Sequence, residues 1–142
     1  NNHYRFIILN YYMAVIVFAC SKGGTGKTTS SFLLATELAR RNMTVSVIDA
    51  DPNHPMKKWQ DNGGKTAKLS IVTNSNEETI IEDIDHANNI NDFVIVDLEG
   101  TANLSVAYAI MRADLVIIPS QRSSLDASEA AKAISLVKNN NP

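Results

Sequence analysis

Residues 21–28, with the sequence SKGGTGKT, lie between an apolar run and an amphipathic stretch, and this order constrains the fold more than any other feature of the chain. The apolar run 13–19 has the length of a buried strand, and residues 30–41 have the apolar spacing of a helix. Strand, glycine-rich loop and helix in this order predict a phosphate-binding loop. A glycine-rich turn with incidental lysines is the alternative, and the combination of glycines, lysines and threonine between these flanks argues against it.

The residues of this loop have the chemistry that a nucleotide phosphate requires. Glycines let main-chain N–H groups approach the phosphate oxygens because no Cβ stands in the way. Lys27 would neutralise phosphate charge, and the Thr28 hydroxyl would ligate Mg²⁺ at the start of the helix, where Thr29 extends the polar turn. The strict pattern G-x-x-x-x-G-K-[ST] would place its first glycine at position 21, where this chain has Ser21 followed by Lys22. The predicted nucleotide-binding residues of the loop are Gly23, Gly24, Thr25, Gly26, Lys27, Thr28 and Thr29.

With its additional lysine, this loop resembles the deviant Walker A motif x-K-G-G-x-G-K-[ST] of the ParA/MinD group of ATPases at every fixed position. The resemblance implies ATP and Mg²⁺ as cofactors and an ATP-dependent homodimer. It also implies that Lys22 reaches across the dimer to the phosphates of the other subunit, as an arginine finger supplied in trans does. The catalytic residues implied by the resemblance are Lys22, Lys27 and Asp51.

A second motif follows the next apolar run. Residues 45–52, VSVIDADP, form a β-branched strand that ends in two acids and a proline that cannot continue the ladder. Acids at the carboxyl end of a parallel strand lie where open α/β sheets bind ligands. In the D-x-D-P motif of the ParA/MinD group, Asp51 would position or activate the attacking water, and Asp49 would support the Mg²⁺ water shell. A solvated turn at the end of a strand is the alternative for these acids.

A third motif, residues 93–100 with the sequence FVIVDLEG, resembles a Walker B strand followed by a switch glycine. Asp97 would hold Mg²⁺ directly or through water, and the Gly100 N–H would sense the γ-phosphate. By itself this pattern is weak evidence for a nucleotide site, and the two motifs that precede it strengthen that interpretation. The predicted metal-binding residues are Thr28, Asp49 and Asp97.

Apolar runs and helical stretches alternate along the whole chain. Strands are predicted near 14–19, 44–49, 69–73, 93–97 and 115–119, and helices near 28–41, 54–61, 77–88, 103–111 and 124–138. This alternation predicts an α/β fold with a mostly parallel sheet covered by helices on both faces, which with the first motif means a three-layer P-loop NTPase. The run 114–120 is expected to be a central, buried strand. Members of the ParA/MinD group carry further strands and helices, so the resemblance implies a domain that is incomplete at its C-terminus.

The domain boundary is predicted at a methionine. Residues 1–12 are interpreted as a non-native or upstream extension, with an additional edge strand at 4–9 as the alternative, and residues 13–142 as the N-terminal portion of a ParA-type ATPase domain. The single cysteine, Cys20, excludes an intrachain disulfide. No apolar run reaches the roughly 18 residues of a spanning helix, so we expect no membrane segment and a cytoplasmic location.

Charge limits the classes of partner. The formal net charge of −2 provides no global attraction to nucleic acid or to anionic lipid, so a DNA contact would need a local patch. Four lysines between positions 57 and 68 surround Trp59 and could form such a patch. A solvated face is the favoured interpretation, because Asp61 interrupts the lysines.

Within the group, residues 51–53, Trp59 and residues 97–108 are similar to ParA-like ATPases of conjugative plasmids and T-DNA transfer systems, and Glu99 stands where most ParA and MinD members have proline. The resemblance implies a dimeric Mg-ATP switch for plasmid or chromosome partition or for recruiting DNA-transfer complexes. Its partners would be DNA, bound non-specifically, and a partition or relaxosome protein. Two alternatives stay open: a MinD-like membrane-positioning ATPase, which needs a C-terminal amphipathic helix, and a truncated, non-catalytic remnant.

Overall fold

The computed structural model describes residues 14–19, 26–64, 66–99, 103–120 and 124–142. Strands and helices alternate along these residues, in the predicted order. They are β1 (Ala14–Phe18), α1 (Lys27–Arg40), β2 (Val45–Asp49), α2 (Pro55–Asp61), β3 (Leu69–Val72), α3 (Ile80–Ile90), β4 (Phe93–Asp97), α4 (Leu104–Arg112), β5 (Leu115–Ile117) and α5 (Ser124–Asn140).

The start of α3 differs most from its prediction, at position 80 instead of 77. The Asn76 side chain accepts hydrogen bonds from the N–H groups of Glu78 and Thr79, at 2.9 and 3.1 Å. Such a side-chain turn competes with helix formation, so the helix begins only after it.

The strands form one parallel sheet in the order β3-β2-β4-β1-β5. In this register Phe18 of β1 and Asp49 of β2 both lie beside Asp97, the last residue of β4. The carboxyl ends of the strands that carry the three motifs therefore meet at the same edge of the sheet, which is where α/β sheets bind ligands. The predicted parallel α/β fold is confirmed.

The core has two layers because successive side chains of a strand point to opposite faces of the sheet. Val94 and Val96 belong to a buried cluster that includes residues of α3 and α4, whereas Ile95 belongs to a cluster that includes residues of α1 and α2. Helices thus cover both faces. None of the helices in the described ranges is long and apolar enough to cross a membrane.

The expectation that residues 114–120 form a central, buried strand is wrong for the described sheet. Strand β5 is an outermost strand of this sheet, paired with β1, and Leu115 is 52% exposed. An apolar run has the same sequence pattern at either position, so the pattern alone did not distinguish them.

Candidate nucleotide site

A buried ion pair joins the first and third motifs. Lys27, the first residue of α1, contacts Asp97 Oδ1 through its Nζ atom, and the Thr28 hydroxyl donates to Asp97 Oδ2 at 3.0 Å. Lys27 is 9% exposed and Asp97 is fully buried. A buried ion pair is favourable only when hydrogen bonds satisfy its remaining groups, and here Thr28 occupies the second carboxylate oxygen. The structure thus brings together three predicted site residues.

The residue before α1 shows why the loop needs glycine at its end. Gly26 has φ 84° and ψ 12°, a left-handed conformation that glycine adopts without strain. No side chain caps α1 at this position. The first N–H groups of a helix have no acceptor within the helix and attract anions, so this end of α1 is a suitable phosphate site.

Asp49 has a contact that the motif did not indicate. Its Oδ2 atom accepts hydrogen bonds from the main-chain N–H groups of Met56, at 3.1 Å, and Lys57, at 3.4 Å. Helix α2 begins with Pro55, and the preceding residue, His54, provides no side-chain cap. Asp49 therefore supplies from the end of β2 the acceptor that a Ser, Thr or Asp normally supplies as an N-terminal cap.

The second oxygen of Asp49, Oδ1, is a buried acceptor without a hydrogen-bond partner in the described part of the chain. Burial raises the pKa of the Asp49 carboxyl; the Lys57 N–H opposes this shift, and the Asp97 carboxylate on the neighbouring strand adds to it. A buried oxygen of this kind usually has a partner.

These oxygens fit the cation that the resemblance implies. Mg²⁺ prefers oxygen ligands and is usually held by one or two carboxylates together with substrate phosphates and water. The Thr28 hydroxyl and the Asp97 carboxylate lie together, and Asp49 lies beside Asp97 in the sheet with an unused oxygen. The donor set therefore suits Mg²⁺ bound together with a nucleotide.

Asp51 lies in the loop between β2 and α2. Its Oδ1 atom accepts a hydrogen bond from the Asn53 N–H at 2.8 Å, and its carbonyl oxygen accepts one from the His54 N–H at 2.9 Å. His54 has φ 44° and lies in this loop, with Nδ1 3.2 Å from the Asp49 carbonyl oxygen. Two hydrogen bonds thus shape the turn that presents Asp51, and its catalytic role stays a prediction.

Several predicted features lie outside the described residues. For the site these are Lys22, Gly23, Gly24, Thr25 and Gly100. Cys20, Lys65 and the predicted extension 1–12 lie outside them too. Their predicted roles stay predictions.

A cleft separates the start of α1 from α2. It has a volume of about 260 Å³ and is lined by Thr28, Thr29, Phe32, Pro55, Met56 and Trp59. At this cleft the rings of Phe32 and Trp59 meet edge to face, with centroids 4.8 Å apart and an angle of 73° between planes. The sequence patterns did not predict this contact, since Trp59 was noted only for its lysine neighbours and for its similarity to ParA-like ATPases.

The lysines near Trp59 agree with the solvated-face interpretation. Lys57 pairs with Asp61 one turn further along α2, and both side chains are partly exposed. Lys58 and Lys68 are exposed. These contacts are those of an ordinary helix surface.

A family model described as VirC1 protein matches residues 13–139. The chain belongs to the VirC1 family. Among curated relatives, Protein ParA of Rhizobium radiobacter is 38% identical over 125 residues, which are 88% of this chain and 56% of the relative. Protein virC1 of Rhizobium rhizogenes is 26% identical over 130 residues, 83% of this chain and 53% of the relative. This VirC1-family chain therefore spans about half the length of the curated relatives it matches.

Solved structures support the fold. A putative plasmid partition protein from Borrelia burgdorferi B31, bound to AMPPNP, superposes with a TM-score of 0.72 at 19% identity, covering 91% of this chain and 70% of that one. The MinD cell division protein of Aquifex aeolicus superposes with a TM-score of 0.76 at 23% identity, covering 90% and 65%. The predicted resemblance is confirmed: this is a ParA-like chain with the fold of the P-loop ATPases.

Proposed function

We propose that this VirC1-family chain binds Mg-ATP and acts as a slow, dimerising ATPase switch in DNA partition or in the recruitment of DNA-transfer complexes. The observation that carries the proposal is the contact of Lys27 and Thr28 with Asp97, which joins two nucleotide motifs at the ligand-binding edge of the sheet. Family membership supports the ATPase class. The DNA role rests on the resemblance to ParA-like ATPases of partition and transfer systems, and this chain covers its curated relatives only in part.

Each residue has a distinct task in this mechanism. Asp97 holds the Lys27 ammonium at the carboxyl end of β4, and the remaining N–H groups of that ammonium can donate to phosphate oxygens. The N-terminus of α1 adds uncapped main-chain N–H groups. When bound, Mg²⁺ would neutralise charge on the phosphates; Thr28, Asp97 and the free oxygen of Asp49 are the residues that would hold it or its waters.

Two further tasks come from the ParA/MinD resemblance. Asp51 would orient the attacking water from its turn beside the site, since a carboxylate can accept a proton or a hydrogen bond there. Lys22 would stabilise charge at the phosphates of the second subunit, which makes hydrolysis depend on dimer formation. The switch would then be dimeric with ATP and monomeric after hydrolysis. The dimeric state would be the one that binds DNA and the partner protein.

The decisive experiment compares hydrolysis with nucleotide binding in the Lys22→Ala variant. We expect turnover to fall by about 10³-fold while ATP binding is kept, because a charge supplied in trans acts on the transition state. Lys58→Ala, which removes an exposed lysine of α2, is the matched control and should leave both unchanged. Equal turnover in Lys22→Ala and the wild type would contradict the proposed role.

Light scattering of the Asp51→Ala variant tests the dimer independently. A monomer that becomes a dimer only with Mg-ATP supports the switch, since blocked hydrolysis should trap the ATP-bound state. A folded chain whose mass does not respond to Mg-ATP supports the alternative of a remnant without the switch.

A further inference from the structure

Helix α2 connects the second motif to the phosphate-binding helix. It has seven residues, Pro55–Asp61, and a helix of this length is not stable by itself in water. Its position therefore depends on tertiary contacts. One is the buried Met56 side chain, which is 1% exposed, and another is the Asp49 carboxylate at its first turn.

The third contact holds α2 against α1. Trp59 lies near the end of α2 and meets Phe32 of α1 edge to face. Phe32 lies little more than one helical turn from Thr28, whose hydroxyl contacts Asp97. The ring of Trp59 thus packs against the helix that begins with the phosphate-binding residues.

Gly64 allows the Trp59 ring to lie where it does. A Cβ atom at position 64 would lie 2.2 Å from Trp59 Cε2, which is far shorter than any van der Waals contact. The Gly64 N–H donates to the Trp59 carbonyl oxygen at 3.1 Å, which ties the backbone at position 64 to α2. Phe32 and the Gly64 backbone together determine the position of the ring.

The Asp51 loop has its two ends in these packed elements. It leaves β2 at Asp49 and enters α2 at Pro55, so the distance between Asp51 and the phosphate-binding residues depends on how α2 packs against α1. A displacement of about 1 Å at a catalytic centre can reduce turnover by about 100-fold. The packing of α2 therefore bears directly on hydrolysis.

We propose that Trp59 is a positioning residue for ATP hydrolysis: by packing between Phe32 and Gly64 it holds α2, and with it the Asp51 loop, in register with the phosphate-binding start of α1. The inference rests on the proposed ATPase function and extends it to residues outside the three motifs. Loss of the Trp59 ring should therefore change the position of the Asp51 loop but not the affinity for nucleotide, because the contacts among Lys27, Thr28 and Asp97 do not involve α2.

The test is a double-mutant cycle in the 142-residue chain. Trp59→Ala removes the ring, and Gly64→Ala displaces it without removing it. We expect each variant to lower kcat by about 10- to 100-fold with the Kd for ATP changed by less than about threefold. In the Trp59→Ala background, Gly64→Ala should have little further effect, because its effect acts through the ring.

Two variants separate positioning from general stability. Trp59→Phe keeps an aromatic edge for Phe32 and should restore most of kcat, and Lys58→Ala alters an exposed neighbour on α2 and should change nothing. Circular dichroism shows whether each variant is folded at the assay temperature. If Trp59→Ala fails to fold, Phe32→Leu, which removes the ring contact but keeps an apolar side chain, takes its place in the cycle.

The outcomes separate the inference from the proposed function. A wild-type chain that does not hydrolyse ATP overturns both. Wild-type hydrolysis with an unchanged kcat in folded Trp59→Ala and Gly64→Ala overturns the inference alone. A loss confined to ATP affinity also overturns it, because Trp59 would then belong to the binding site.

Discussion

The Asp49 carboxylate should stabilise the fold mainly through one oxygen, and two substitutions can separate that oxygen from the charge. Asp49→Ala removes the acceptor of the Met56 and Lys57 N–H groups. Asp49→Asn keeps one oxygen for these donors and removes the negative charge. The same pair of variants shows whether Asp49 has a structural task before any nucleotide binds.

The contacts provide the magnitude. A buried donor that loses its acceptor costs about 1–3 kcal/mol, and the Met56 N–H is such a donor. The Lys57 N–H bond is longer, at 3.4 Å and only partly buried, so its loss should add little. Burial and the neighbouring Asp97 raise the pKa of Asp49, which means that the ionised form is disfavoured in the fold. Removing the charge therefore offsets part of the loss.

We expect Asp49→Ala to lower the free energy of unfolding by about 1–3 kcal/mol and Asp49→Asn by less than about 1 kcal/mol. Urea unfolding at neutral pH measures both, followed by circular dichroism and by the fluorescence of Trp59, the single tryptophan of the chain. Asp61→Ala, an exposed aspartate of α2, is the control and should stay within about 0.5 kcal/mol of the wild type. Equal losses in the Asn and Ala variants would refute the reasoning, since the acceptor would then be irrelevant.

Other regions give further predictions. Lys27→Ala should lower the free energy of unfolding by about 3 kcal/mol in urea, because it leaves Asp97 buried without its cation. The double variant Lys27→Ala with Asp97→Ala should lose less than the sum of the two single losses, and strictly additive losses would contradict the ion pair. Hydrogen bonds from Arg40 and Arg41 lower the pKa of Glu37 from 4.5 to about 2, so its contribution to stability should be fully present above pH 4.5 and lost progressively as the pH falls from 4.5 to about 2; an NMR titration with a midpoint near 4.5 would disprove the bonds. Leu115→Lys should change the free energy of unfolding by less than about 0.5 kcal/mol in urea, because Leu115 is 52% exposed, and a larger loss would contradict its exposed position.

Local patterns predicted the elements because they depend on short-range properties. The strands 45–49 and 93–97 are runs of β-branched and apolar residues that are buried on both faces of a parallel sheet, and their ends agree with the prediction almost residue for residue. The start of α3 differed because the Asn76 side chain binds N–H groups that the helix would otherwise use. That competition depends on side-chain geometry, which apolar spacing does not describe.

The position of β5 could not be predicted in the same way. Its residues are apolar, and an apolar run suggested a central strand, yet the strand lies at the edge of the described sheet. The order of strands depends on which helices cross which face, and that choice is made by packing between segments far apart in the chain.

The candidate site likewise contains contacts that the motifs predicted and contacts that they did not. The motifs predicted Lys27, Thr28 and Asp97 as members of one site, and the structure places their side chains in contact. The motifs did not predict that Asp49 binds the first turn of α2 or that Trp59 packs against Phe32. Pro55 was the available signal, since a helix that begins with proline and lacks a Ser, Thr or Asp before it needs an acceptor from elsewhere.

By itself the sequence determined the alternation of strands and helices, the glycine loop and the acids at the strand ends, because periodicity, backbone freedom and side-chain chemistry are properties of short segments. The tertiary structure decided which of these segments meet. The parallel register places Asp49 beside Asp97, and the packing of α2 on α1 places Trp59 against Phe32. Such contacts join residues separated by tens of positions, and only the folded chain brings them within hydrogen-bond or van der Waals distance.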